Sequence, residues 1–125
     1  MYSNEGLIVL YPRNPVSREH FMIIPKEHVE QFHELDKEQL DQLNKIIAYI
    51  SRVFQKDEKY GGYNLLNNNG TLAGQHINHC HIHLFVRFNN EKISPFDVLA
   101  GKYPKKLINT DEWQNNYDAI KAALI

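Results

Sequence analysis

The most constraining feature of this sequence is a regular alternation near its middle. From Ile77 to Phe85 imidazoles alternate with apolar side chains, and four of the seven histidines lie within residues 76–83. That period is typical of a β-strand, in which successive side chains point to opposite faces. We therefore predict a strand over residues 77–85 with His79, His81 and His83 on one face.

The spacing of these three histidines limits what they can bind together. A strand rises about 3.3 Å per residue, so His79 and His83 are expected roughly 13 Å apart, too far for one metal ion to hold all three. A zinc site would need two of them together with a ligand from elsewhere, such as His20. We expect no metal, and instead one working imidazole flanked by two that position it.

Size and charge narrow the class of protein. The 125 residues suffice for a single domain over residues 1–125. A net charge of -1, from 14 basic and 15 acidic side chains, argues against nucleic-acid or membrane partners. The one cysteine, Cys80, excludes an internal disulfide and favours a reducing compartment. With no apolar run long enough to span a bilayer, we expect a cytoplasmic protein.

The rest of the chain reads as strands and helices in sequence. Strands are predicted at Leu7–Tyr11, His20–Ile24 and Tyr63–Asn67, each bounded by proline or glycine. Asp36 and Gln39 form a possible capping box, which predicts a long helix carrying apolar residues up to Phe54. Ser94 begins an irregular stretch, and Asp111 opens a terminal helix. This order predicts an α+β fold with a mainly antiparallel sheet and helices on one face.

The histidine row and the loop before it together indicate phosphorus chemistry. Crowded imidazoles resist simultaneous protonation, which keeps at least one ring neutral with a free lone pair. The preceding loop carries Asn68, Gln75, glycines and backbone N–H groups, which are donors suited to phosphate oxygens. This arrangement predicts attack of a histidine on phosphorus and a covalent phosphohistidine intermediate that water cleaves.

The same residues carry a family resemblance. Gly74-Gln75-x-Ile-x-His79-x-His81-x-His83-Leu-Phe resembles the signature of the histidine triad (HIT) nucleotide hydrolases and transferases. The resemblance extends upstream to the block from His20 to His28 and to Asn68-Asn69-Gly70, and covers residues 7–88. It implies a HIT-like, mainly antiparallel five-stranded sheet with one long helix and a C-terminal helix, and leaves residues 89–125 as an extension.

The resemblance also implies a mechanism and residue roles. His81 would attack the α-phosphorus of a nucleotide conjugate and release the mononucleotide after hydrolysis, with a dinucleoside polyphosphate or a nucleoside phosphoramidate as substrate. The residues expected at phosphate are Asn68, Gly74, Gln75, His76, Ile77 and His83. His79 and His20 would orient the neighbouring rings. A homodimer and the absence of any required cofactor are implied as well.

Three departures from the family pattern bear on specificity. Position 76 is histidine where relatives often carry a serine or threonine that helps to protonate the leaving group. Val86-Arg87 replaces the usual Pro-Arg, and the region around Pro12 lacks the Asp or Asn with which relatives often hold the ribose.

The alternative to a hydrolase is a noncatalytic nucleotide-binding module or a histidine-based metal-binding module.

Overall fold

One antiparallel sheet organises the part of the chain that the computed structural model describes, which is residues 2–3, 6–12 and 19–103. Its five strands are β1 (Tyr2–Ser3), β2 (Leu7–Leu10), β3 (Glu19–Pro25), β4 (Tyr60–Leu66) and β5 (Ile82–Phe88). They lie in the order β1-β2-β3-β5-β4. Four strands have substantial length, and β1 is a two-residue strand. The predicted α+β class with an antiparallel sheet is confirmed.

The pairing of β3 with β5 brings the predicted second strand beside the histidine-rich segment. Its register sets His20 opposite Phe85 and Met22 opposite His83. On the other side of β5, Leu66 of β4 is also opposite His83. In antiparallel pairs, opposite residues share a face, so His20 and His83 meet on the same side of the sheet.

The long helix α1 (Lys37–Phe54) begins where the capping box predicts. The Asp36 carboxylate accepts a hydrogen bond from the Gln39 backbone N–H at 2.8 Å, and the Gln39 side-chain oxygen accepts one from the Asp36 N–H at 2.9 Å. These bonds satisfy two N–H groups that a helix start leaves unpaired. The apolar stripe of the helix then packs on one sheet face, against strand residues that include Phe21, Ile82 and Leu84.

The opposite face of the sheet is covered near the end of β5 by a short helix, α2 (Pro95–Leu99). Ser94 caps it, and Val98 packs with Phe85 and Leu66 in a separate small cluster. The prediction of an irregular stretch after Ser94 is therefore wrong, as is the placement of all helices on one face. The predicted terminal helix from Asp111 lies outside the described residues.

The histidine strand is shorter than predicted. β5 starts at Ile82, residues 77–79 form a bend, and residues 80–81 are irregular instead of part of a strand. The pairing stops at Ile23 and Ile82, close to the end of β3 at Pro25, which has no N–H to continue the ladder. Beyond that point the Cys80 N–H donates to the Val29 carbonyl at 2.6 Å. The alternation of His79 and His81 therefore does not come from strand geometry.

The two glycines before the predicted third strand are part of it. β4 extends back to Tyr60, with a register irregularity between Tyr60 and Gly62. Gly62 adopts a φ of 143°, a backbone angle that residues with a Cβ rarely adopt. The glycines thus produce a bulge within the strand rather than a break before it.

Candidate active site

The predicted histidines form a connected row that begins with His20 and His83 on the sheet face opposite α1 and continues to His81 and His79 in the segment before β5. The ring centroids of His81 and His83 are 5.2 Å apart, and those of His83 and His20 are 5.1 Å apart. At the other end, His79 lies 5.3 Å from the ring of the exposed His28. The structure therefore brings His20, His81 and His83 together, with His79 at the edge of the group.

His81 is held in a defined tautomer by the backbone. Its Nδ1 atom lies 2.8 Å from the carbonyl oxygen of His79. A carbonyl oxygen only accepts hydrogen bonds, so Nδ1 must carry the proton. In the neutral ring the lone pair then lies on Nε2, for which the described part of the chain offers no hydrogen-bond partner. This is the protonation pattern that a nucleophilic imidazole requires.

His79 acts through its backbone and is itself anchored. Its Nε2 atom donates to the Pro25 carbonyl oxygen at 2.7 Å, which fixes the ring against the end of β3. The carbonyl that accepts the hydrogen bond from His81 Nδ1 thus belongs to a residue that is anchored to the end of β3. The expected supporting role of His79 has this physical basis.

His83 sits between a polar partner and an aromatic surface. Its Nδ1 atom is 2.8 Å from Nε2 of the buried His20. Its ring also stacks on Phe85, with centroids 5.8 Å apart and planes inclined by 12°, while the His20 ring lies 4.6 Å from Phe85. Phe85 is completely buried and in turn meets Phe96 of α2 edge-on. The Phe85 ring therefore packs against the imidazoles of both His20 and His83.

The three consecutive asparagines before the turn have different surroundings. Asn67 donates to the carbonyl oxygen of His81 at 2.9 Å, and Asn69 donates to the Asn67 side chain at 2.7 Å. The Asn69 side-chain oxygen accepts from the Phe32 backbone N–H at 2.7 Å. The Asn68 side chain, by contrast, makes no hydrogen bond to any residue that the structure describes. Its amide is therefore available to a ligand.

The side chain of Gln75 stabilises the loop between β4 and β5 through hydrogen bonds to the backbone. Its side-chain oxygen accepts from the Gly70 N–H at 2.7 Å, and its amide nitrogen donates to the carbonyls of Glu30 and Ile77 at 2.7 and 3.0 Å. Both amide hydrogens are thus used by backbone oxygens. The predicted phosphate contact of Gln75 stays a prediction, and in this structure its side chain shapes the loop.

The backbone of the loop offers donors at some positions and not at others. The Gly74 N–H is used by the Thr71 carbonyl at 3.0 Å, whereas the N–H groups of His76 and Ile77 have no partner among the described residues. Gly74 adopts a φ of 96°, and a Cβ there would lie 3.3 Å from the Asn68 amide nitrogen. Gly74 therefore makes room for Asn68. The His76 side chain is exposed beside these groups.

Cys80, between the two histidines, is buried on the opposite side of the chain. Its side chain is 1% exposed and belongs to the core cluster. Burial raises the pKa of this thiol, partly offset by a hydrogen bond with the Asn67 side chain. The thiol therefore stays protonated and is a packing residue rather than a nucleophile.

A comparison of the sequence with known protein families matches it to one of them. The HIT domain matches residues 1–90. The chain belongs to the HIT family. The match includes the histidine row, the asparagine loop and the β3–β5 pair that joins His20 to His83.

Related HIT proteins extend the comparison. An uncharacterised HIT-like protein of Methanocaldococcus jannaschii is 33% identical over 93 residues, covering 73% of this chain and 70% of the relative. The adenosine 5'-monophosphoramidase of Schizosaccharomyces pombe is 32% identical over 77 residues, covering 62% of this chain and 55% of the relative. The crystal structure of a hypothetical histidine triad nucleotide-binding protein from Sulfolobus tokodaii has a TM-score of 0.79 at 28% identity, covering 98% of this chain and 80% of that one.

In the described residues of this HIT protein, no group of three or more His, Cys, Asp or Glu side chains is arranged to hold a metal ion. No helix in the same residues is long and apolar enough to cross a membrane.

Several residues of the HIT site were not identified from the sequence. Asn67 and Asn69 are part of the hydrogen-bond frame, but a run of three asparagines resembles an ordinary polar loop. Their separation by two residues, directly after a strand, is a signal that both could point to one side. Phe85 had a clearer signal, because the alternation places it on the same face as His83.

Proposed function

We propose that this protein is a nucleotide hydrolase that cleaves a nucleoside monophosphate from a phosphoramidate or phosphoanhydride conjugate. The observation that carries the proposal is the hydrogen bond from Nδ1 of His81 to the His79 carbonyl. It leaves the Nε2 lone pair for attack on phosphorus. The activity named for the S. pombe relative, adenosine 5'-monophosphoramidase, supports the phosphoramidate as a substrate class.

The reaction proceeds in two displacements. The Nε2 lone pair of His81 attacks the α-phosphorus, the bond from phosphorus to the leaving nitrogen or oxygen breaks, and the leaving group takes up a proton. A water molecule then attacks the nucleotidyl-histidine, the bond from phosphorus to Nε2 breaks, and the mononucleotide departs as the water gives up a proton. His81 returns to its neutral state.

The remaining site residues bind the phosphate or hold the rings. The Asn68 amide and the N–H groups of His76 and Ile77 are suited to the α-phosphate oxygens, where negative charge is present throughout the reaction. His83, supported by His20 and Phe85, contacts the phosphate beside His81. Gly74 and Gln75 shape the loop that presents these donors. The reaction as proposed requires no metal or other cofactor.

We also propose a homodimer formed along β4, the edge strand of the sheet in the described residues. β4 is the outer strand on one side, and along it Tyr63 and Leu65 are 43% and 50% exposed. An edge strand that carries exposed apolar side chains is suited to pairing with a second copy, which would join the two sheets. Light scattering of the protein and of a Leu65→Glu variant tests this: the variant should be monomeric, and equal masses would contradict it.

The enzymatic proposal is tested by trapping the covalent intermediate. The protein is incubated with adenosine 5'-phosphoramidate or diadenosine polyphosphate, quenched with acid-free denaturant, and measured by intact mass. We expect a mass increase of one AMP unit that is absent in His81→Ala and present in the control His33→Ala, which changes an exposed histidine of the 3-10 helix Phe32–Glu34.

The same experiment separates the alternative functions. Turnover and adduct in the presence of EDTA support a hydrolase that needs no metal. Binding of AMP without adduct or turnover would instead identify a noncatalytic nucleotide-binding module. Stoichiometric zinc in protein purified without a histidine tag, with activity lost on chelation, would identify a metal site and overturn the proposed mechanism.

A further inference from the structure

Two amide side chains connect the nucleophile to a distant part of the backbone. We call Asn67 and Asn69 the asparagine relay. Asn69 accepts from the Phe32 N–H and donates to Asn67, and Asn67 donates to the carbonyl oxygen of His81, with distances of 2.7, 2.7 and 2.9 Å. Each amide therefore uses its oxygen toward one neighbour and its nitrogen toward the next.

The asparagine relay lies just beyond the point where the pairing of β4 with β5 ends. β4 ends at Leu66, whose partner on β5 is His83, and the ladder goes no further. His81 precedes β5, so its carbonyl has no ladder position. The side chain of Asn67, the first residue after β4, supplies the hydrogen bond that the ladder would have provided. The peptide group that follows the nucleophile is fixed in this way.

His81 is consequently held at two points. Its ring is held through Nδ1 by the His79 carbonyl, and its backbone is held through its own carbonyl by Asn67. The first bond sets the tautomer, and the second limits rotation of the main chain that carries the ring. A displacement of a reacting group by about 1 Å can lower a rate by roughly 100-fold.

We propose that Asn67 and Asn69 are positioning residues that hold His81 in line with the α-phosphorus, while Asn68 between them faces the substrate. The inference rests on the proposed function. It assigns different roles to three identical neighbouring residues: the outer two bond to the protein, and the middle one has its amide available for the phosphate. It also makes the segment that begins at Phe32 part of the support of the nucleophile.

Steady-state kinetics of substituted proteins test the relay. In Asn67→Ala we expect kcat to fall about 10- to 100-fold, because His81 would no longer be held in line with the α-phosphorus, and we expect KM to change less than about threefold. Asn67→Asp keeps an oxygen for Asn69 but cannot donate to the His81 carbonyl at neutral pH, so we expect a similar fall. The control Asn78→Asp adds the same charge at an exposed position three residues before His81 and should keep the parental kcat.

A second measurement reports on His81 without relying on activity. Nitrogen-15 NMR of the imidazole distinguishes the tautomer with the proton on Nδ1 from the one with it on Nε2. We expect the Nδ1-protonated form in the parent protein. In Asn67→Ala we expect a mixture, because a main chain that can rotate no longer keeps the His81 Nδ1 atom at the His79 carbonyl. Asn69→Asp keeps the oxygen that accepts from the Phe32 N–H but cannot donate to Asn67. This variant replaces Asn67→Ala in the NMR measurement if the alanine variant does not fold.

The outcomes distinguish the inference from the proposed function. If the parent protein neither turns over nucleotide conjugates nor forms an adduct, the proposed function fails. The tautomer of His81 in Asn67→Ala and Asn69→Asp then still tests the relay. If the variants fold, retain the parental tautomer and lose no kcat, the relay is overturned while the hydrolase stands. A kcat loss that only follows a loss of folded protein, measured by thermal unfolding, also overturns it.

Discussion

The Nε2 atom of His20 lies 2.8 Å from the Nδ1 atom of His83, although 63 positions separate the two histidines in the sequence. The contact depends on how β3 pairs with β5. Their register places Met22 opposite His83 and His20 opposite Phe85, which brings the two imidazoles together. In a bond between two ring nitrogens, one donates and the other accepts. The protonation of His83 is therefore linked to that of a buried neighbour.

Replacing His20 tests this link. His20→Phe keeps an aromatic ring on Phe85 but removes the polar partner of His83, and we expect kcat/KM to fall about 10- to 100-fold. His20→Gln places an amide group near the former Nε2 position, and a smaller loss is expected. Rates for both variants are compared with their unfolding temperatures. A loss in His20→Gln that equals or exceeds the loss in His20→Phe would contradict the role of the hydrogen bond and would show that His20 acts through the packing of its ring.

The fold follows from the sequence where local patterns are strong. The capping box at Asp36 and Gln39 and the apolar stripe of α1 are local features, and both predict the helix correctly. Short apolar runs likewise locate β2 and β3. The exact ends of β4 and β5 depend on pairing between distant segments, such as Leu66 with His83, and a single sequence does not show where pairing stops.

The site follows from the sequence only in part. The clustered histidines and Asn68 are predicted from their residue types and spacing, whereas the role of Gly74 is implied by the resemblance to the HIT signature. The bonds that orient them involve backbone oxygens of Pro25, His79 and Glu30, and a sequence gives no signal for a carbonyl group. For the same reason, Asn67 and Asn69 appear as loop residues until their partners are known.

Gly74→Ala should affect both stability and phosphate binding. A residue with a Cβ at a φ of 96° costs about 1 to 3 kcal/mol, and this Cβ would press on the Asn68 amide from 3.3 Å. If Asn68 binds phosphate, loss of one hydrogen bond to a charged group should raise KM about tenfold or more. Denaturant unfolding and steady-state kinetics measure the two effects.

Gly101→Ala is the matched control for that substitution. Gly101 has a similar φ of 81°, but a Cβ there would have no heavy atom within 4 Å. We expect a comparable loss of unfolding free energy without a change in KM. A rise in KM in both variants would mean that the effect comes from general loosening and not from Asn68.

The buried thiol of Cys80 predicts a dependence of stability on pH. Burial raises the pKa of Cys80 above the value of about 8.5 found in unfolded chains. Between the unfolded and folded pKa values, the unfolded state binds fewer protons than the folded state. The stabilising contribution is therefore complete below about pH 8.5 and is lost as the pH rises through the folded pKa.

Denaturant unfolding at several pH values measures this contribution. In Cys80→Ala the decline in stability above about pH 8.5 should be smaller than in the parent protein, although the alanine variant starts from a lower stability because a cavity remains. Identical pH slopes in the two proteins would contradict the assignment. Native Cys80 should also react slowly with iodoacetamide, and labelling should accelerate on unfolding.

The exposed side chain of His76 predicts a dependence on the leaving group. It lies on the loop whose N–H groups are proposed to hold the phosphate, and it makes no hydrogen bond to the described residues. An imidazole can give a proton to a departing amine or phosphate near neutral pH. Amines and phosphates differ in their need for that proton, so His76→Ser should change the ratio of kcat/KM for adenosine 5'-phosphoramidate and diadenosine polyphosphate. His33→Ser, which alters another exposed histidine, should leave the ratio unchanged. An unmoved ratio in His76→Ser would restrict position 76 to its backbone contact with phosphate.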